Sequence, residues 1–369
     1  MIFEFNLWSG VMLNRENINK IFIRESNWIG DAIMTTPALA AIKESFSKAE
    51  IFVGANPSVA EILKYNPCID QFLIFDTQLL NNSLLGRLKL SRSWRGKYNF
   101  DLGILFTNSF VSALEIFIMG IPQRIGFDTD GRGLLLTEKI HATPEIIKKH
   151  EVDYFLDLVS GIGIKPHSRV LTIKFSKEDE NFAKDFISQN RLPSTRLLVA
   201  MHAGASIKPK EWLPERYAKV CDELVRNYNA QVVILGSKAD EAVSSKIASL
   251  AEEKVINLAG KISLREATSI IKCCDMFIGN NSGPMHIAAA LKVPVVTIFG
   301  PAAPEKTAPY LEKEKYEIVI KPFTCRPCRQ NYFKECEPSV NGKPACIEAI
   351  EVEDVIKGIE LLGRRLNII

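Results

Sequence analysis

Short apolar runs alternate with amphipathic stretches along most of this chain. Ile21–Ile23, Glu50–Gly54, Gln71–Phe75, Asp101–Phe106 and Arg124–Gly126 are β-compatible and read as strands. Apolar residues at helical spacing place helices near Ala32–Phe46, Ser58–Tyr65 and Ser109–Met119 between them. A second series begins after Leu192-Pro193. Its strands are Leu197–His202, Gln231–Gly236, Val255–Asn257, Met276–Ile278 and Val295–Phe299, separated by helices near Pro214–Tyr228, Ala239–Ala251 and Leu264–Lys272. Strand and helix in strict alternation predict parallel sheets, so the fold class is α/β, with two Rossmann-like, doubly wound domains.

The expected domains are residues 19–176 and 177–350, with 351–369 forming a final helix, and Asp179–Gln189 reads as the connecting helix. Ordered patterning starts only at Lys20, so the first eighteen residues read as a frayed extension. A chain of 369 residues is too long for one typical core, which agrees with two domains.

The rule that ligands bind at the carboxyl ends of parallel strands directs attention to the loops after Ile23, Met201, Leu235 and Ile278, expected to surround a common interdomain cleft. After Met276–Ile278 comes G-N-N-S-G-P-M-H, in which a buried strand meets Gly, Asn and Ser and then a helix with Pro284 in its first turn. Free amides there, with the helix dipole behind them, suit an anion, and Ser282 and His286 extend the cradle. An ordinary strand-to-helix turn explains the loop taken alone.

The loop Ser26 to Leu39 carries Gly30 for a tight turn and Asp31 at the start of a helix. A carboxylate there either complements the helix dipole or, facing a cleft, accepts a proton from an attacking hydroxyl. In His202 to Tyr217, Lys208 reads as solvated, whereas Lys210 is either a solvated loop lysine or one that stabilises the charge of a leaving diphosphate.

These segments together, S-N-W-I-G-D-x-x-M-x-T-P-A-L, H-A-G-A-S-x-x-x-K-x-W-x-x-E-R-Y, V-I-L-G-S, N-L-A-G-K-x-S-L and N-S-G-P-M-H-I-A-A-A-L, resemble the heptosyltransferases of glycosyltransferase family 9, in consistent order over roughly residues 20–360. Within the family the chain is most similar to the heptosyltransferase II group, through N-W-I-G-D and R-I-G-F-D-T-D-G-R-G-L-L-L-T.

The resemblance implies a GT-B fold with an N-terminal acceptor-binding domain and a C-terminal nucleotide-sugar-binding domain. It implies inverting, metal-independent transfer of heptose from ADP-heptose to a lipid A–Kdo–heptose acceptor, the lipopolysaccharide inner core, with no cofactor. By position, the catalytic aspartate is Asp31 and the leaving-group lysine Lys210; nucleotide-sugar binding falls to Asn281, Ser282, Gly283 and His286. Many members carry an acid where this chain has Asn281, and an amide cannot supply that charge. Another sugar-nucleotide transferase of the family, or a sugar-nucleotide binder without turnover, are the rival readings. A nicotinamide-dependent dehydrogenase is disfavoured because G-x-G-x-x-G is missing after the first strand.

Composition narrows the setting. A net charge of +3 argues against a dedicated nucleic-acid binder. No apolar run is long enough to span a bilayer and Met1–Gly10 lacks the features of a secretory signal, so a cytoplasmic protein is expected. Cys68, Cys221, Cys273 and Cys274 sit among apolar neighbours and read as buried, reduced thiols. Cys325, Cys328, Cys336 and Cys346 begin like a zinc knuckle, but the second pair is spaced too widely, and reduced thiols in a loop-rich segment are preferred. Asp128-Thr129-Asp130 spells D-x-D, yet two acids in a Gly-rich loop are weak evidence for a metal, and none is expected. Arg87, Lys89, Arg92, Arg95 and Lys97, interleaved with Leu84, Leu85, Leu88, Leu90 and Trp94, suit the anionic surface of the cytoplasmic membrane or the anionic groups of a lipid acceptor; a solvated helix face accounts for them equally.

Overall fold

The computed structural model describes residues 17–76, 83–191, 195–325, 328, 333, 336 and 338–369. Two compact units divide the chain, Met1–Lys174 and Phe175–Ile369. In the first, β1 (Lys20–Arg24), β2 (Glu50–Ala55), β3 (Gln71–Ile74), β4 (Leu102–Leu105), β5 (Gln123–Phe127) and β6 (Glu138–Ile140) form a sheet in the order β3-β2-β1-β4-β5-β6, parallel throughout. In the second, β7 (Leu197–His202), β8 (Ala230–Ile234), β9 (Ile256–Asn257), β10 (Met276–Asn280), β11 (Val295–Phe299) and β12 (Tyr316–Ile320) repeat that topology as β12-β11-β10-β7-β8-β9. Strand order reverses direction between β1 and β4 in one unit and between β7 and β10 in the other. Such switch points open a crevice at the carboxyl ends of the strands, because the flanking helices depart to opposite faces.

All ten expected strands form. The edge strands β6 and β12 add to them, and their sequences explain why they were not foreseen: E-K-I is short and polar, and Y-E-I-V-I follows a charged run and stays mostly half-buried. The helix expected over Ala32–Phe46 is broken into Ile29–Met34 and Thr36–Ser45. Pro37 has no N–H to return to Ile33 O, and the Thr36 hydroxyl takes that carbonyl instead at 2.7 Å. Helices Leu84–Trp94, Pro144–Lys148 and Glu151–Gly161 join those already expected in the first unit.

The helix Lys177–Asn190 is part of the second unit rather than a free connector. Ser176 and Asp179 form a capping box at its start, Asp179 pairs with Arg265, and the helix packs on Leu264–Lys272. The final helix, Val352–Leu366, buries Val355, Ile359 and Leu362 against β11, β12 and the helix Pro214–Tyr228. At the amino end, residues up to 16 of the expected extension lie outside the described residues, but Ile18 is buried and Asn19 N–H donates to Asp101 Oδ2, so order begins before Lys20.

Two of the four cysteines expected in the core are not there. Cys221 and Cys274 are buried, and burial pushes the Cys221 thiol up to about 12, but Cys68 is half-buried and Cys273 is exposed. Cys273 is the C-terminal cap that follows Lys272, so its side chain leaves the helix on the solvent side.

The basic stretch is likewise divided. Arg87 turns inward and its guanidinium lies 2.6 Å from Glu115, Trp94 packs edge-on to Phe75, and Leu84 and Leu85 are exposed. Glu115 is fully buried and also receives Arg24 Nε at 3.1 Å, so one carboxylate bridges two guanidinium groups. Replacing one partner of a buried ion pair leaves an uncompensated charge, which costs about 3 to 5 kcal/mol. Glu115→Ala should therefore destabilise the first unit by that amount, visible as a lower urea midpoint followed by fluorescence; an unchanged midpoint would mean the charges are screened by water.

Candidate functional site

In the first unit, Arg24 closes β1 and organises the loop that follows. Its Nη1 donates to Glu25 O at 2.7 Å and to Gly54 O at 3.2 Å, and its Nη2 donates to Asn27 Oδ1 at 3.1 Å. The guanidinium stacks on the Phe75 ring 4.4 Å from its centroid. This cation ties the loop to the ends of β1 and β2. Asp31, half-buried, then falls in the first turn of Ile29–Met34, where Ser26 Oγ donates to its Oδ2 at 3.1 Å.

Glu25, beside it, is completely buried. Its Oε2 accepts Ser26 N–H at 2.9 Å, and its Oε1 lies 2.7 Å from Thr35 Oγ1, which is also 2.8 Å from Ala32 O. One hydroxyl hydrogen cannot serve both acceptors fully. Both contacts are satisfied when Glu25 is protonated and donates to Thr35, which in turn donates to Ala32 O. Burial, with Asp31 adding to it, pushes the Glu25 carboxyl up to about 8 against the opposing donors and Arg24. Near neutral pH no second negative charge therefore sits beside Asp31.

The D-x-D acids go to separate tasks. Asp128 pairs with His141 Nδ1 at 2.8 Å and accepts Ala142 N–H, while Asp130 accepts Phe110 N–H at 2.7 Å. Among the described residues no three His, Cys, Asp or Glu side chains gather as metal ligands. Cys325 is exposed and Cys346 buried; several residues between them lie outside the described residues.

In the second unit the expected residues converge on the ends of β7 and β10. Lys210 Nζ lies 3.5 Å from Asn281 Oδ1, while the Asn281 amide donates to Thr307 O at 3.0 Å. Asn281 thus presents its oxygen to the lysine, a dipole where an acid would bring a charge. Ser282 is the N-cap of the helix Gly283–Ala290 but makes no side-chain capping bond. Its hydroxyl instead meets His202 Nδ1 at 3.2 Å, and the first amides of this helix are left to other partners. His286 is buried one turn in. Lys208 is mostly exposed and pairs with Glu211 at 2.8 Å, as a solvated loop lysine would.

Three residues that build this arrangement were not among the expected site residues. Asn280 is fully buried: its Oδ1 accepts Trp212 N–H at 3.2 Å and the Tyr217 hydroxyl at 2.9 Å, and its Nδ2 donates to Ala203 O at 2.7 Å. It binds the end of β10 to the loop bearing Lys210. His202 and Asp240 stand behind Ser282, with His202 Nε2 3.6 Å from Asp240 Oδ2. Gly204 and Gly236 make room for Asp240, since a Cβ on either would collide with it.

Residues 87–336 match the family described as glycosyltransferase family 9 (heptosyltransferase). The chain belongs to that family. It is 28% identical over 344 residues to lipooligosaccharide heptosyltransferase 2 of Campylobacter jejuni, covering 92% of this chain and 96% of the relative. It is 29% identical over 317 residues to lipopolysaccharide heptosyltransferase 2 of Escherichia coli, covering 82% and 88%. The solved structure of Escherichia coli ADP-heptose lps heptosyltransferase II superposes with a TM-score of 0.75 at 24% identity, covering 94% of this chain and 99% of that one. The family 9 chain is accordingly a glycosyltransferase with the GT-B fold, each of its units a Rossmann-like α/β layer structure.

Two outcomes follow for this family 9 site. Asn280→Ala orphans the Trp212 amide, the Tyr217 hydroxyl and Ala203 O, and should cost about 3 kcal/mol in urea unfolding of the second unit; a loss under 1 kcal/mol would show that water replaces the amide. Glu25 holds in the folded chain, up to about pH 8, a proton that the unfolded chain releases near 4.5. Its contribution is therefore fully present below 4.5 and lost as pH rises through 8. Glu25→Gln should flatten the decline of stability across that window by a few kcal/mol, and an unaltered slope would contradict the neutral Glu25.

Proposed function

We propose that this chain transfers heptose from ADP-heptose to the inner core of lipopolysaccharide, with a heptosyl-Kdo2-lipid A acceptor. The observation that carries the reading is likeness to proteins named heptosyltransferase 2 along nearly the whole of both chains. Asp31 is the general base and Lys210 stabilises the leaving ADP. The switch-point position of both loops supports this assignment, as does the convergence of Lys210, Asn281 and Ser282 at the end of β10.

The chemistry is a single displacement. The acceptor hydroxyl attacks the anomeric carbon from the face opposite ADP, its proton passes to Asp31, and the bond to the diphosphate oxygen breaks with its electron pair leaving on ADP. The Ser26 hydroxyl donates to Asp31 Oδ2 and orients the carboxylate. Lys210 and the Ser282–Gly283 amides receive the charge that builds on the diphosphate. Asn281 Oδ1 is a neutral partner that helps to position Lys210 Nζ.

No helix among the described residues is long and apolar enough to cross a membrane. We place the reaction in the cytoplasm, with the helix Leu84–Trp94 offering exposed Leu84 and Leu85 and its outward basic residues to the inner membrane face that carries the lipid acceptor.

Asp31→Ala should abolish transfer while ADP affinity, read by calorimetry, stays within about threefold, since its role lies in the transition state. Lys210→Ala should slow transfer by about a hundredfold or more and weaken ADP binding as well. Turnover retained by Asp31→Ala would remove the assignment.

A further inference from the structure

Ser282, His202 and Asp240 form a line of polar groups, with the Ser282 hydroxyl 3.2 Å from His202 Nδ1 and His202 Nε2 3.6 Å from Asp240 Oδ2, that the transfer chemistry does not itself require. Asp240 is fixed as an acceptor. Ser237 donates to its Oδ2 from both N–H at 2.8 Å and Oγ at 2.7 Å. Burial alone would raise its pKa, but His202 and the Ser237 donors outweigh this and hold it well below the usual carboxylate range. The proton on His202 Nε2 therefore faces Asp240, because a lone pair there would oppose the carboxylate.

This leaves two states for the other side of the ring. In neutral His202, Nδ1 is an acceptor, and the only hydrogen of the Ser282 hydroxyl is drawn to it. Ser282 then offers lone pairs outward, which repel an anion. In the imidazolium, Nδ1–H donates to Ser282 Oγ and the hydroxyl hydrogen is released for an outside acceptor. His202 is 5% exposed, so water does not readily substitute for either partner. Charged groups on the surrounding loops include Lys210, against Asn281; Glu211, which accepts Ala205 N–H and pairs with Lys208 and Lys343; and Lys238, which shares the turn of Asp240 and pairs with Glu241.

We propose that His202 and Asp240 are positioning residues that arm Ser282: nucleoside diphosphate binding draws a proton from solvent onto His202, and the relay turns the Ser282 hydroxyl from an acceptor into a donor to a phosphate oxygen. This rests on the reading of Ser282 as part of the nucleotide site and deepens it. The step is a protonation with no bond to carbon or phosphorus made or broken, and solvent supplies the proton.

The test is calorimetric titration of the full chain with ADP at about pH 8, where the free phosphate is already fully ionised, in buffers of different ionisation enthalpy. The wild type should take up close to one proton per ADP bound, and its affinity should fall by up to about tenfold per pH unit. In His202→Asn, whose amide can stand in for Nδ1–H but cannot titrate, the uptake should vanish and the affinity should become flat with pH. In Asp240→Asn, which removes the charge that stabilises the imidazolium, affinity at about pH 8 should fall and recover on acidification. Circular dichroism and the urea midpoint separate these effects from misfolding. ADP bound by the wild type without proton uptake, or uptake that persists in His202→Asn, would overturn the relay while leaving the nucleotide site intact. A wild type that does not bind ADP at all would overturn the nucleotide reading and the relay with it.

Discussion

Where parallel strands stop and their helices turn to opposite faces, backbone groups lose their ladder partners, and those that stay buried must be satisfied by something else. Most of the candidate site depends on how this chain meets that requirement. In the first unit Arg24 does so, reaching Glu25 O, Gly54 O and Asn27 from the end of β1, with Glu115 compensating its charge. In the second unit Asn280 does so, holding the Trp212 amide and Ala203 O from the end of β10. A cation and an amide thus solve one problem in two copies of one topology. In each, the loop so anchored is the loop with the proposed chemistry.

The same economy explains why the polar network around Asp31 is internally consistent. Arg24 brings a buried positive charge close to Glu25, yet hydrogen bonds the Glu25 main chain rather than its carboxyl. The carboxyl is left to Ser26 and Thr35, where a proton satisfies every contact. Of the two neighbouring acids, Glu25 is enclosed and takes the proton, whereas Asp31 is half-buried in a first helical turn. Environments that push paired acids apart are how proteins separate a base from a spectator.

Much of this was legible in the residues. Strand and helix alternation gave both sheets, since fully buried strands such as L-L-V-A-M-H and M-F-I-G-N leave an apolar signature that no helix of that length would need. The edge strands β6 and β12 escaped because half-buried edges carry polar residues. At the site, Lys210, Asn281 and Ser282 are brought together as their motifs suggested. Glu25, Asn280 and Asp240 were not singled out, because each acts through partners distant in sequence: Thr35 is ten residues from Glu25, Trp212 sixty-eight from Asn280. His202 lay in plain view at the head of H-A-G-A-S, but only its placement between Ser282 and Asp240 gives it a task. Within the basic stretch, composition could not reveal that Arg87 faces a buried glutamate.

The substrate assignment rests on likeness to named relatives along most of both chains. Mass spectrometry of the products formed by the purified chain from ADP-heptose, with Kdo2-lipid A and heptosyl-Kdo2-lipid A offered side by side, tests it most directly. The account predicts one added heptose on the heptosyl-Kdo2-lipid A acceptor and equimolar release of ADP. Hydrolysis of ADP-heptose without transfer, or transfer only from a different sugar nucleotide, would contradict it.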